Sequence, residues 1–202
     1  MRDEHNLPSA HRRMKQLKPL MQSSQARRLN KFVYRFRLAR ALKEVSAPDI
    51  GRKTVMGYTA GIRLLLAYSA FEDIRILRDS IKTIRNPRGE HTKIIDEELA
   101  KQLRKNSNLQ HLLLQDGEVK NPSLKRHIES FFAGTNSDVM CIATALRNSF
   151  VHGTFTAGGV GLDSKIKIKH IDTLSHAVLE LADGICTRCV ETLEGELEIA
   201  KQ

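Results

Sequence analysis

The residues that most constrain the fold are 54–84, because their apolar side chains lie almost all the way round a helix. Ile62, Leu65, Leu66, Ile76 and Leu77 fall on one side, and Leu64, Ala67, Tyr68, Phe71 and Ile74 fall on another. A helix with so little polar surface is normally central, since only a surrounding core covers it. A second long helical pattern covers residues 171–199. The sequence therefore predicts an all-α bundle built around long central and C-terminal helices.

The positive charge of the chain is concentrated near its N-terminus. The net charge is +10, and residues 1–52 carry 13 Lys/Arg against 4 Asp/Glu, whereas the other 150 residues carry 20 against 19. Such asymmetry is typical of a chain that binds a polyanion. Residues 1–22 are polar, basic and interrupted by Pro8 and Pro19, so we expect a flexible basic arm. Residues 23–202 are then one all-helical domain.

Within this domain, residues 23–52 predict a basic helix that starts at Ser23 or Ser24 and runs to about Val45. Its apolar stripe leaves cations around the remainder, among them Arg27, Arg28, Lys31, Arg35 and Lys43. A solvated surface face explains this pattern as well as a strip that follows an RNA backbone. Too few aromatic residues lie nearby to predict a base-stacking platform.

Two later stretches are less regular. Residues 85–134 hold short amphipathic segments separated by turn residues, which suggests an insertion of short helices. Lys165 and Lys167 alternate with Ile166 in a brief strand-like pattern, and they add two cations to the predicted RNA-binding set.

The residues that offer chemistry stand at the end of another helical pattern, over residues 137–153. Arg147 keeps its charge and presents a fork of donors that suits a phosphate. His152 titrates near neutral pH and can take and give a proton. Asn148 and His152 share a helix face, whereas Arg147 is about 140° away from His152. The long arginine side chain, or an opening of the last turn, must bring the two together.

The central helix offers a candidate partner for this pair. Glu72 lies among apolar residues, with Ser69 one turn before it on the same face. A carboxylate in such surroundings tends to be paired. An ordinary surface glutamate remains the alternative to a Glu72 that reaches Arg147 or His152 and orients it.

The segment Arg147-Asn-Ser-Phe-Val-His152 resembles the R-x4-6-H motif of the HEPN superfamily, at the end of a late helix. The resemblance implies a HEPN-like helical bundle, a homodimer with a composite active site, and a metal-independent endoribonuclease. His152 would act as acid or base, Arg147 would hold the scissile phosphate, and Asn148 would orient the pair. The products would carry a 2′,3′-cyclic phosphate and a 5′-hydroxyl. Acidic residues on the early long helix, here Glu72, assist in some members.

Other interpretations stay open. A non-catalytic HEPN bundle would use the same residues to bind RNA, a nucleotide or a protein partner. A DNA-binding regulator lacks a helix-turn-helix signature. If the motif residues are ordinary surface residues, Arg147 would form an ion pair. The resemblance also suggests a toxin with an antitoxin partner, or a phage-defence effector. One toxin group has a tyrosine two residues after the histidine, where this chain has Thr154, so that antitoxin is not expected.

The remaining expectations concern location and cofactors. No apolar run approaches the roughly 18 residues of a membrane span, and no signal peptide is recognisable, so we expect a cytoplasmic protein that does not bind membranes. The three cysteines give neither a disulfide framework nor a zinc-ligand spacing. We therefore expect no metal and no cofactor.

Overall fold

The computed structural model describes residues 7–81, 93–114, 119–152 and 165–199, with side chains in the last range described from residue 168. These ranges contain eight α-helices and a 3-10 turn at Lys18–Leu20. The helices are α1 (His11–Leu17), α2 (Ser23–Ala41), α3 (Arg52–Ser80), α4 (Glu97–Arg104), α5 (Ser107–Leu114), α6 (Pro122–Phe132), α7 (Met140–Val151) and α8 (Lys165–Ile199). The predicted all-α bundle with long central and C-terminal helices is confirmed.

Helix α3 is the centre of the bundle, and it packs against α2, α8 and α7. Its smallest residues allow this, since Ala60, Ala67 and Ala70 are each no more than 1% exposed and let neighbouring helices approach closely. Larger side chains such as Ile74 and Leu77 fill the space between the helices. One continuous core results, and it extends from Ala10 to Val190. None of the helices in the described ranges combines the length and apolarity that a bilayer crossing requires.

The expectation of a flexible arm over residues 1–22 is corrected from residue 7 onward. Helix α1 packs on α8, with Met14 and Leu17 buried. The backbone N–H of Ser9 donates to Asp183 at 2.8 Å, and Arg13 forms an ion pair with Glu194. The high charge of this segment obscured a short apolar stripe that is sufficient to dock it.

The strand-like expectation for the alternating lysines is also wrong. Residues 165–169 form the first turn and a half of α8, which begins six residues earlier than predicted. Ile168 and Ile171 are both buried, and their spacing of three residues suits a helix face. Period-two alternation over so few residues does not distinguish a strand from a helix end.

The short helices α4 to α6 hold the start of α7 in place. Asp138 accepts a hydrogen bond from the backbone N–H of Ile94 at 2.9 Å. The Arg104 guanidinium donates to the backbone carbonyls of Phe131 and Asn136, each at 2.8 Å. Leu103, Ile128 and Phe131 belong to the same core as the long helices. The described part of residues 85–134, which omits 85–92 and 115–118, is therefore packed into the bundle.

Candidate functional site

Helix α7 presents the predicted motif residues because its own face toward the core is mostly apolar, with Ser149 as the buried polar residue. Ile142 and Ala143 are completely buried and Leu146 is 2% exposed. The next residues around the helix, Arg147 and Asn148, are therefore left half-buried at its edge.

Arg147 is held by three groups. One terminal nitrogen of its guanidinium donates to Glu72 Oε2 at 3.3 Å, and the other donates to Asn148 Oδ1 at 3.0 Å. The guanidinium carbon lies 5.5 Å from the centre of the Tyr68 ring, within the range of a cation–π interaction. Tyr68 is itself fixed, since its hydroxyl and that of Thr144 are 3.1 Å apart and share a hydrogen bond. The guanidinium plane is thus oriented from both α3 and α7.

The donors of Arg147 are only partly used. Arginine has five N–H donors, and the contacts with Glu72 and Asn148 take one on each terminal nitrogen. The Nε is buried and has no hydrogen-bond partner among the described residues. The side chain remains 29% exposed. Within the described part of the chain, one N–H on each terminal nitrogen is therefore left over for an anion.

His152 stands just past the end of α7. Its backbone N–H donates to the carbonyl of Asn148 at 3.0 Å, and its backbone has left the helical conformation. The side chain is exposed, and no hydrogen bond joins it to Arg147 in the described part of the chain. The structure thus brings Arg147, Asn148 and Glu72 into contact and leaves His152 next to them in the chain, open to solvent.

Of the two interpretations left open for Glu72, the one with a contact to Arg147 is observed, whereas its functional role stays a prediction. Ser69 is half-buried and makes no hydrogen bond to either motif residue within the described ranges. Tyr68 was missed as a site residue. It precedes Glu72 by four residues on α3, so a side chain that reaches Glu72 along this face must pass over the tyrosine ring.

The predicted RNA-binding cations divide into three groups. Arg28 and Arg35 form ion pairs with the two oxygens of Asp73, at 3.0 and 2.6 Å. Asp73 is 1% exposed, so the two arginines are held against α3. Arg27 and Lys31 are exposed on α2. The side chains of Lys165 and Lys167 lie outside the described residues.

The three cysteines are buried thiols. Burial raises the pKa of Cys141 and of Cys189 to about 12, and it raises the pKa of Cys186 as well. In the described ranges, no three or more His, Cys, Asp or Glu side chains are grouped as metal ligands would be.

Comparison of the chain with protein-family models, with curated proteins and with solved structures gives no match.

Proposed function

We propose that this protein is a metal-independent endoribonuclease of the HEPN type. One observation carries the proposal: the Arg147 guanidinium is oriented by Glu72, Asn148 and Tyr68, and it precedes the exposed His152 by only five residues. A fixed cation that binds phosphate beside a histidine that moves protons is the minimum that RNA cleavage needs.

The reaction follows from the chemistry of these two side chains. His152 takes the proton of the ribose 2′-hydroxyl, and the 2′-oxygen attacks the adjacent phosphorus. The bond from phosphorus to the 5′-oxygen breaks as the new bond forms, and a proton passes to that leaving oxygen. One product ends in a 2′,3′-cyclic phosphate and the other begins with a 5′-hydroxyl. Arg147 stabilises the negative charge that develops on the phosphoryl oxygens.

The need for both a base and an acid supports a composite site. Each subunit supplies one His152, and a homodimer with two motifs in one cleft provides two histidines, as the family resemblance implies. One histidine then accepts the proton of the 2′-hydroxyl while the other donates to the leaving oxygen. Asn148 and Glu72 act as positioning residues, because they contact Arg147 and restrict its rotation.

A second function is favoured by the same ion pair. Glu72 already balances the charge of Arg147, and a carboxylate 3.3 Å away competes with a phosphate for the same donors. This suits a non-catalytic HEPN bundle that binds RNA, a nucleotide or a protein partner. In either form, the role suggested by the resemblance is that of a cytoplasmic toxin or defence effector, with an antitoxin or another defence protein as partner.

The experiment that tests the proposed activity uses the chemistry of the substrate. Purified protein is incubated in EDTA with a labelled single-stranded RNA, and with the same RNA carrying a 2′-deoxy nucleotide at the mapped cut. We expect cleavage of the first RNA, with a cyclic phosphate at the new 3′ end, and protection at the substituted position. Cleavage at the 2′-deoxy position would contradict attack by the 2′-hydroxyl. A failure to cut any of several RNAs that the protein binds would favour the binding function.

A further inference from the structure

A groove separates the N-terminal segment from α2, and it shares no residue with the candidate site on α7. Its volume is about 340 Å³, at the lower end of the range of about 300–1,000 Å³ for small-ligand pockets. The floor is apolar and consists of Met14 on one wall and Leu29 and Val33 on the other. Met14 is 1% exposed and Leu29 is 3% exposed, so both sides of the floor are anchored in the core.

The rim of this α1–α2 groove is positively charged. Lys15 and Lys18 stand on the N-terminal side and Arg37 stands on α2. None of these three cations forms an ion pair within the described ranges, and no acidic residue lines the groove. Among the described residues, an anion that enters therefore meets three cations without an ion-pair partner and no lining carboxylate that would repel it.

Three further side chains give the groove the means to recognise a planar ring. Tyr34 lines it and is 70% exposed, which is unusual for so large an aromatic side chain in a bundle with a continuous core. Asn30, one turn earlier on α2, presents an amide with both donors and an acceptor. His11 lies on the opposite side. Its pKa is lowered mainly by burial and also by the nearby charge of Lys15. The imidazole is thus neutral near pH 7 and offers one donor and one acceptor.

The two flanks of α2 differ in how their cations are used. Arg28 and Arg35 lie about 160° around an ideal helix from Asn30 and Arg37. The first pair is bound to the buried carboxylate of Asp73, and its charge stabilises the contact between α2 and α3. Of these two flanks, only the groove flank, with Arg37, has charge available to a partner. Arg27 and Lys31 are also exposed, on the part of α2 outside the groove.

We propose that the α1–α2 groove binds one nucleotide of single-stranded RNA, with its base against Tyr34 and the apolar floor and its flanking phosphates on Lys15, Lys18 and Arg37. The choice of RNA as the partner rests on the proposed function, whereas the site itself rests on the groove. The groove would bind the RNA substrate at a place separate from the cleavage site. Stacking on an aromatic ring tolerates any base, because every base has a π-face.

An acidic peptide would also be attracted by the rim, but it uses fewer of the features present. An exposed tyrosine ring beside an amide matches the face and the edge of a base, and neither is needed to bind a run of carboxylates. RNA is therefore the ligand whose chemistry accounts for the floor, the ring and the rim together.

The test measures RNA binding by the full chain with His152→Ala, so that the RNA is not consumed. The probes are a labelled oligouridylate of about ten nucleotides and an abasic ribose-phosphate chain of the same length. The groove variants are Tyr34→Ala, Tyr34→Phe and the double variant Lys15→Gln/Arg37→Gln. The matched control is Lys125→Gln/Arg126→Gln, which removes two exposed cations from α6.

Tyr34→Ala is expected to weaken binding of oligouridylate about tenfold and to leave binding of the abasic chain unchanged, since only stacking is lost. Tyr34→Phe keeps the ring and should bind as the parent does. Lys15→Gln/Arg37→Gln should weaken binding of both probes and flatten the salt dependence, whereas the α6 control should do so much less.

Several results would overturn the groove as an RNA site. The first two are an unchanged affinity of Tyr34→Ala for oligouridylate and an equal loss of affinity in the α6 control. The others are a complete absence of RNA binding, and groove variants that lose affinity only for an acidic peptide such as oligoglutamate. A larger loss in Arg27→Gln/Lys31→Gln would move the site to the outer face of α2. Normal binding in a protein that cuts no RNA would refute the proposed activity alone. If cleavage depends on His152 but the groove variants bind RNA with the affinity of the parent, the groove alone would be refuted.

Discussion

The ring of Phe150 on α7 rests directly on the bare backbone of Gly61 on α3. A β-carbon at Gly61 would overlap three atoms of that ring, well inside van der Waals contact. The Tyr58 ring, also on α3, packs edge-on against Phe150 with 6.3 Å between ring centres. Because Phe150 lies between Arg147 and His152 in the chain, this contact fixes the end of α7 that carries Arg147 and leads into His152.

Replacing Gly61 should therefore disturb the site as well as the core. We expect Gly61→Ala to lower the free energy of unfolding by about 1–3 kcal/mol, as overpacking does, and to reduce RNA cleavage. Gly184→Ala on α8 is the matched control, since its β-carbon would meet only Arg188 at 3.9 Å. That change should be neutral or stabilise by up to about 1 kcal/mol. Equal urea-unfolding midpoints for the two variants would refute the tight contact.

Arg147 should not be replaceable by lysine. Arg147→Lys keeps the positive charge but loses the fork that contacts Glu72 and Asn148 together. We expect kcat for RNA cleavage to fall about 100-fold, with a loss of unfolding free energy of no more than about 1 kcal/mol because the ion pair with Glu72 is partly exposed. Arg188→Lys, at an exposed position on α8, should cleave normally. Full activity in Arg147→Lys would mean that charge alone is sufficient.

Removing the two arginines that contact Asp73 should lower the free energy of unfolding more than neutralising Asp73 itself. Arg28→Ala/Arg35→Ala leaves a carboxylate that is 1% exposed without a partner, which should cost about 3–5 kcal/mol of unfolding free energy. Asp73→Asn leaves two arginines that are more than a third exposed and can turn to water, so it should cost only about 1–2 kcal/mol. Chemical unfolding measures both, with Lys31→Ala as the control. A larger loss in Asp73→Asn would contradict this explanation.

The buried thiols predict a loss of stability at alkaline pH. In the unfolded chain a thiol titrates near its ordinary pKa of 9.0, whereas the folded pKa of Cys189 is about 12. Between these values the unfolded state binds fewer protons, so the free energy of unfolding falls as pH rises, by up to about 1.4 kcal/mol per pH unit for each thiol. Below pH 9 both states hold the proton and this dependence vanishes.

Urea unfolding at a series of pH values measures this slope. Cys186→Ala/Cys189→Ala should show a shallower decline than the parent between about pH 9 and 12, whatever its stability at pH 7. An identical slope in the two proteins would show that other groups cause the decline.

Helical periodicity was sufficient to predict the long elements of the fold. The central helix was expected over residues 54–84 and is observed as Arg52–Ser80, because its apolar pattern is continuous and cannot be satisfied by a strand. Docking of α1 was not predictable from composition, since only two buried apolar residues of this helix, Met14 and Leu17, stand among many charges. The pattern also does not show which cations turn inward. The sequence pattern indicates that Arg28 and Arg35 are surface residues, and only the structure shows that both contact Asp73 on α3.

The site was predictable to a similar extent. A partner for Glu72 could be inferred from a carboxylate among apolar residues, although the pattern left an ordinary surface glutamate open. Tyr68 could not be recognised in the same way, because an aromatic residue on that helix is explained equally well by core packing. The relative placement of the α7 and α3 faces, which depends on Gly61, is a tertiary property that no local spacing encodes.

The measurement that tests the proposed activity most directly compares single-stranded RNA cleavage in EDTA by the wild type, His152→Ala and His176→Ala. Both histidines are exposed, so neither change should disturb folding. A general acid–base group contributes about 10²–10⁴-fold to rate. We therefore predict that His152→Ala loses at least about 100-fold in kcat while His176→Ala cleaves as the wild type does. Equal cleavage by all three proteins would show that the Arg147–His152 motif is not the catalytic site.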